Sequence, residues 1–237
     1  MRFDGKIVVS AGGTGGLGRA VSLAFLREGA YVFATYRNEA EFAGLRQAAG
    51  NDAARLAGRN VDATDESAVA ALMDEIVGAH GRLDVMVDSV GGYTGGPKAW
   101  EVETAELDRM LALNLRSAWV LSRAAAKIML RQGGGAIVNV ASQAAVQHNA
   151  GASVYAASKA AALALIDSLA ADLRGSGVRV NSVLPSIIDT EANRKAMPTA
   201  DFSKWPKPEE IASVILFLAS EDARVIHGAA IPVYGNS

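Results

Sequence analysis

Cysteine is absent from all 237 residues. That excludes disulfides, thiolate metal sites and a cysteine nucleophile, and it suits a reducing compartment. Histidine is scarce as well. His80, His148 and His227 stand far apart, without the i,i+3 or i,i+4 spacing of a metal pair, so metal catalysis is not expected. No apolar run reaches about 18 residues without a polar or charged break, so no membrane span is expected. The N-terminus, MRFDGKIVVSAGG, enters a short apolar strand directly and shows no secretory signature. A cytoplasmic protein is expected. Excess charge is also missing: a net charge of −2 gives no electrostatic reason for nucleic acid or an anionic membrane as partner.

What is present is an ordinary globular composition, 50% hydrophobic and 20% charged, long enough for one large α/β domain or two small ones. Apolar β-type runs at Ile7–Ser10, Tyr31–Thr35, Ala54–Val61, Asp84–Val87, Ala136–Val140, Arg179–Leu184 and Ala230–Val233 alternate with helical patterns. The helical segments are Leu17–Glu28, Glu39–Ala48, Glu66–Ala79, Ala105–Leu130, Tyr155–Leu173 and Glu209–Ala219. Asp and Ser in DATDESAV supply N-cap chemistry for the third helix, and Pro208 opens the last. Continuously apolar strands, each followed by a crossover helix, imply a parallel sheet covered on both faces. No linker or repeat divides the alternation. The expectation is one doubly wound α/β domain of about seven parallel strands, the eight-fold barrel being one unit short.

Directly after the first strand comes SAGGTGGLGRA, in which Gly12, Gly16 and Gly18 form G-x-x-x-G-x-G with Thr14 and Leu17 between. Glycine can take positive φ there, or leave room where a side chain would block a pyrophosphate. The helix that starts near Gly16 offers free N–H groups and its positive end to such an anion. No lysine followed by Ser or Thr is in the loop, so a Walker-type nucleotide site is not supported. Further along, SVYAASKAAAL places Tyr155 and Lys159 four apart, hence on one helix face, among small residues. A free phenol titrates near 10 and is a slow acid–base catalyst at neutral pH, but a nearby ammonium favours the phenolate and lowers that value.

Glycine turn, alternation and Y-x-x-x-K together resemble the short-chain dehydrogenase/reductase family in its compact form, across the whole chain. AGGTGGLG matches the family's TGxxxGxG with Ala11 in place of threonine. Ser142 closes VNVAS thirteen residues before Tyr155, Asn114 lies in LALNLRSAW, and Asp62 lies in RNVDATD, each where the family keeps a site residue. The resemblance implies a doubly wound fold with a nicotinamide dinucleotide. Tyr155 would donate a proton to a substrate carbonyl oxygen and Ser142 would hydrogen-bond the same oxygen. Lys159 would hold the nicotinamide ribose, and Asn114 would anchor a relay water. Asp62 would contact adenine; Gly91, Pro185, Ile188 and Thr190 would line the rest of the cofactor. It also implies a dimer or tetramer through the two long central helices.

At the end of the second strand an acid would favour NAD(H), and here Tyr36 and Arg37 stand instead, so NADP(H) is favoured. Three departures from the family pattern stand out. N-N-A-G is replaced by Asp88-Ser89-Val90-Gly91, and an ionised Asp88 must find donors or a raised pKa. Pro-Gly is replaced by Pro185-Ser186, whose serine could take space beside the nicotinamide, and the C-terminus reads YGNS. Residues 187–207 are expected as a short lid, with Met197, Phe202 and Trp205 apolar and Arg194, Lys195 and Lys204 basic. Tyr93 and His148, with Gln143 and Asn149, would border a small-molecule substrate. The function implied is an NADPH-dependent carbonyl reductase of the 3-oxoacyl or small-ketone sort. An NAD-linked alcohol or sugar dehydrogenase and a non-catalytic dinucleotide-binding regulator are the alternatives.

Overall fold

The structure, a computed structural model, describes residues 1–236. Ser237, the last residue of YGNS, lies outside them. Strands β1 (Ile7–Ala11), β2 (Tyr31–Tyr36), β3 (Leu56–Asn60), β4 (Val85–Asp88), β5 (Gly135–Val140), β6 (Val178–Pro185) and β7 (Ala230–Val233) form one sheet. Its order is β3-β2-β1-β4-β5-β6-β7 and every pair is parallel. Helices α1 (Gly16–Arg27), α2 (Glu39–Ala49), α3 (Glu66–His80), α4 (Thr104–Met110), α5 (Ser117–Gln132), α6 (Ser153–Asp172), α7 (Glu191–Ala196) and α8 (Pro208–Ala219) cover it.

Successive strand residues feed opposite cores, as the two-residue period of a strand requires. Val8, Val85, Val138 and Val183 join α1 and α8 through Phe25, Leu26, Ile211 and Ile215. Their neighbours Val9, Met86, Ile137 and Val180 join α3, α5 and α6 through Ile76, Leu121, Met129 and Ile166. Each such fully buried side chain contributes about 1.5–3 kcal/mol. Asp65 caps α3 by accepting from Ser67 and Ala68 N–H, and Glu210 accepts from Lys207 N–H at the start of α8.

Two segments differ from the sequence expectation. The third strand begins at Leu56, because Gly50–Arg55 forms a 3-10 turn whose Arg55 bonds Asp52 and the Leu26 carbonyl. The single helix expected over Ala105–Leu130 is α4, a π-helical turn at Leu111–Arg116, and α5. The widened turn carries Asn114, and a lost i→i−4 register at one turn is invisible to hydrophobic periodicity. Finally, α6 is long and apolar enough by those measures alone to cross a membrane. It instead buries Ala156, Lys159, Ala162, Leu163, Ile166 and Ala170 within the protein.

The chain turns from β1 to β2 on one side and to β4 on the other, so a crevice opens at the carboxyl ends of β1 and β4. A cavity of about 850 Å³ lies at the opposite end of the sheet, among Arg82, Asp84, Arg174, Arg179, Arg224 and His227. Helices α3, α5, α6 and α8 end there, and cations at helix C-termini oppose the negative dipole ends. Arg179 donates to the carbonyls of Leu218, Ala219, Ser220 and Ala223, closing the end of α8. His227 accepts from Val180 N–H, and its other ring nitrogen meets the Ala170 carbonyl. Arg179→Ala leaves four carbonyls without their donor, and urea denaturation should show a loss of about 3 kcal/mol.

Candidate active site

The glycine turn sits in the crevice and is built to exclude side chains. Gly12 has φ +68°, its N–H donates to Thr35 Oγ1 (2.9 Å), and Gly13 N–H donates to the Thr35 carbonyl (3.0 Å). A Cβ on Gly18 would lie 2.0 Å from the Gly12 oxygen, and one on Gly16 would lie 2.7 Å from the Thr190 methyl. The sequence therefore needs glycine at both positions for packing alone. Gly15, the N-cap of α1, brings no side-chain acceptor, and the first turn holds no acid. The leading amides thus remain available to an anion, which is what a pyrophosphate requires. Thr14 donates to Glu41 (3.0 Å), and the Leu17 side chain belongs to the core.

At the far end of the crevice Tyr36 stacks on Phe42 (4.9 Å between centroids) and donates to Glu39 (2.6 Å). Arg37 and Asp62, expected to meet different parts of a dinucleotide, bind each other at 2.8 Å in an exposed pair. Asp62 also accepts from the N–H and hydroxyl of Thr64, and these bonds, with Arg37, hold its carboxyl below the usual range. Register brings the two residues together, since β2 and β3 pair Tyr36 with Asn60 at their ends.

Asn114, Ser142, Tyr155 and Lys159 converge at the carboxyl ends of β4 and β5. Asn114 accepts from Gly92 N–H (2.9 Å) and donates to the Gly92 carbonyl (3.1 Å) and to Ser158 Oγ (2.9 Å). Ser158 passes on a bond to the Tyr155 carbonyl (2.8 Å). Sequence reasoning missed Ser158; its place between Tyr155 and Lys159, on α6, was the available signal. Gly91 lies under the same groups, where a Cβ would come within 2.8 Å of Asn114 Oδ1 and 3.1 Å of Lys159 Nζ. Ser142 hydrogen-bonds the Tyr155 phenol, and its Oγ accepts from Ala144 N–H (3.1 Å).

The electrostatics differ from expectation at one point. Burial raises the Tyr155 phenol above its ordinary value, the Ser142 bond opposing and Tyr93 reinforcing. Lys159 is itself buried and lowered by that burial, and its Nζ donates to the Val140 carbonyl at 3.0 Å. Its charge is felt at Asp88. That carboxyl is pushed up to about 6 by burial, against a Val90 N–H bond (2.9 Å) and the Lys159 charge. Asp88 thus meets its awkward position both ways, with a donor and with a raised pKa.

Around the crevice, Tyr93 packs edge-on against Tyr155 (5.0 Å between centroids), while His148 stands exposed in the loop before α6. Pro185 ends β6 and Ile188 packs on the core. Ser186 donates to the Tyr234 carbonyl (2.7 Å). Thr190 caps α7 by accepting from Asn193 N–H (3.2 Å). In the segment that follows, Arg194 pairs with Asp189, Lys195 with Glu191 and Lys204 with Asp201. Trp205 is buried against Phe202, and Arg194 lies over the Phe202 ring.

A sequence model described as short chain dehydrogenase matches residues 6–201. A D-threitol dehydrogenase of Mycolicibacterium smegmatis is 36% identical over 99% of this chain and 93% of its own length. A 3-oxoacyl-[acyl-carrier-protein] reductase of Thermotoga maritima is 30% identical over 99% of this chain and 98% of its own. Among solved structures, ElxO with NADP bound superposes with a TM-score of 0.92 at 27% identity, over 98% of each chain.

The raised Asp88 carboxyl has a consequence for stability. A carboxyl whose pKa is higher folded than unfolded (about 6 against about 3.9) favours the folded state below the unfolded value and loses that contribution as pH rises through 6. Asp88→Asn removes the loss. Its stability relative to the parent should rise by about 2.4 kcal/mol between pH 4 and pH 8, read by urea unfolding at each pH.

Proposed function

We propose that this chain, which belongs to the short-chain dehydrogenase family, is an NADPH-dependent reductase of small uncharged carbonyl compounds. Membership makes it a nicotinamide-dependent oxidoreductase acting on a small molecule. The observation that carries the finer reading is the meeting of Ser142, Tyr155, Lys159 and Asn114 at the mouth of a crevice whose glycine turn admits an anion. NADPH supplies the hydride when bound. The amides of Gly16 and Leu17, with Gly12 and Thr14, would hold its pyrophosphate. Arg37 and Tyr36 would meet the adenosine phosphate and Asp62 the adenine. Gly91, Pro185, Ile188 and Thr190 would flank the nicotinamide end.

In the proposed reaction Ser142 Oγ and the Tyr155 phenol share one carbonyl oxygen. The phenol, kept protonated by burial, gives its proton to that oxygen as the alcohol forms. Ser142 holds the oxygen in place and stabilises its developing charge. Asn114 keeps Gly92 and Ser158 fixed, and through Ser158 the turn of α6 that carries Tyr155. Lys159, behind the phenol, would bind the nicotinamide ribose.

Residues 187–207 would form the lid over this oxygen, with Tyr93 and His148 on the opposite wall. Three of the four basic side chains of that segment, Arg194, Lys195 and Lys204, are paired with carboxylates of the same segment, which supports an uncharged substrate over an acyl carrier. The exposed Trp119 and Leu130 of α5 support assembly into a dimer or tetramer along α5 and α6. The lack of cysteine supports the cytoplasm as its location. One observation favours the reverse reading, an NAD-linked alcohol or polyol dehydrogenase. Arg37 is already engaged by Asp62, so a phosphate must compete for it, and a D-threitol dehydrogenase is among the relatives.

Fluorescence titration with NADPH and NADH, followed by turnover on a panel of hydroxyketones and diones, separates these readings. NADPH should bind more tightly, and Arg37→Ala should weaken it about tenfold while leaving NADH unchanged. Tighter NADH binding moves the assignment to the oxidative enzyme. Tyr155→Phe should lower turnover by about 10²–10⁴-fold with cofactor affinity preserved. Cofactor binding without turnover in the parent would point to a regulator instead.

A further inference from the structure

The cavity of about 850 Å³ at the amino ends of the strands is walled by the turns that lead from helix back to strand. Its volume is that of a small-molecule site. Glycine keeps it open. Gly81, Gly133 and Gly175 follow the ends of α3, α5 and α6 at φ +72°, +78° and +80°. A Cβ on any of the three would meet no atom within 4 Å. The helices therefore end in left-handed glycine turns that add no side chain at those points.

Charge on the lining is one-sided. Arg2, Lys6, Arg82, Arg174, Arg179 and Arg224 face two carboxylates, Asp84 and Glu221, in a chain whose net charge is −2. Part of this cationic set is engaged. Arg2 pairs with Glu28 (3.4 Å), and Arg179 donates to the carbonyls that end α8. Lys6 and Arg82 share one carboxylate, Asp84, which also accepts from Ile7 N–H (2.9 Å). Arg174 and Arg224 are different. Both are exposed on the cavity wall, and among the described residues neither makes an ion pair or a side-chain hydrogen bond. The need to close helix ends accounts for Arg179 and leaves these two without a task.

A guanidinium offers a planar fork of N–H donors that matches phosphate oxygens in pairs, and five of the six cations here are arginines. The two rings of the lining are already engaged. Phe3 packs edge-on against Phe25 (4.7 Å between centroids), and His227 is bonded through both nitrogens. The cavity thus offers charge and forked donors, with no free aromatic face for a base.

We propose that this cavity binds a compact polyphosphate anion, gripped by Arg174 and Arg224 and attracted by the cation that Lys6 and Arg82 hold in excess over Asp84. The site stands at the end of the sheet opposite the crevice, and it does not depend on the catalytic reading.

Isothermal titration calorimetry of the full chain with inorganic tripolyphosphate, at low and at physiological ionic strength, tests this. One ion per chain should bind, more weakly at the higher salt. Arg174→Ala and Arg224→Ala should each weaken binding about tenfold, the effect of losing one charged hydrogen bond. Both side chains are exposed, so the variants should unfold in urea as the parent does and keep their affinity for NADPH. Arg37→Ala, at the far end of the crevice, should bind tripolyphosphate like the parent. ATP should bind no more tightly than tripolyphosphate, since the cavity has nothing for the nucleoside. Absence of binding at low salt would overturn the proposal, as would unchanged affinity in both cavity variants. Weakening in Arg37→Ala alone would put the anion in the crevice, sinking this site while supporting the cofactor reading. Binding of ATP where tripolyphosphate fails would overturn the polyphosphate class. A chain that binds tripolyphosphate through Arg174 and Arg224 but takes up no NADPH keeps this site and loses the proposed function.

Discussion

Asn114 joins three pieces of chain that have no other reason to keep a fixed distance. Its amide exchanges two hydrogen bonds with the backbone of Gly92, on the loop leaving β4, and gives a third to Ser158 on α6. Ser158 in turn holds the carbonyl of Tyr155. A buried amide satisfied on both its donor and acceptor sides behaves as a stiff backbone unit, because any displacement would leave a desolvated polar atom unpaired. The π-helical turn places the amide there. A regular α-helix through Leu111–Arg116 would rotate Asn114 away from Gly92. Asn114 thereby ties the loop after β4 to the turn of α6 that carries Tyr155 and Lys159.

The two ends of the sheet solve opposite electrostatic problems. At the carboxyl ends of the strands, α1 begins with uncapped amides and no acid, a local excess of positive character in the crevice. At the amino ends, four helices deliver their carbonyls, and Arg179 with its neighbouring cations answers them. The cavity at the second end lies where the helices stop. Chemistry needs converging groups, and those are found in the crevice.

Burial sets the ionisation pattern of the crevice more than pairwise charge does. Tyr155 is raised, Lys159 is lowered and Asp88 is raised, and desolvation is the leading cause in all three. A tyrosine and a lysine four apart on a helix suggested an ammonium acting on a phenol. In the folded protein the Lys159 ammonium also donates to the Val140 carbonyl at the end of β5, and burial lowers its own pKa.

The order of elements, the parallel sheet, the glycine turn and the identities of Ser142, Tyr155, Lys159 and Asn114 were all legible in the sequence. They follow from local properties: strand and helix periods, positive-φ glycine, and spacing along one helix face. The sequence also marked Asp88 as anomalous, since an acid in a buried strand end must be accommodated. Tertiary structure alone decided how. The break of the long helix at Asn114, the engagement of Arg37 by Asp62 and the bond from Ser186 to Tyr234 depend on contacts between distant segments. Such contacts are chosen by strand register and by the need to pair every buried polar group, and neither is written in the neighbourhood of the residue concerned.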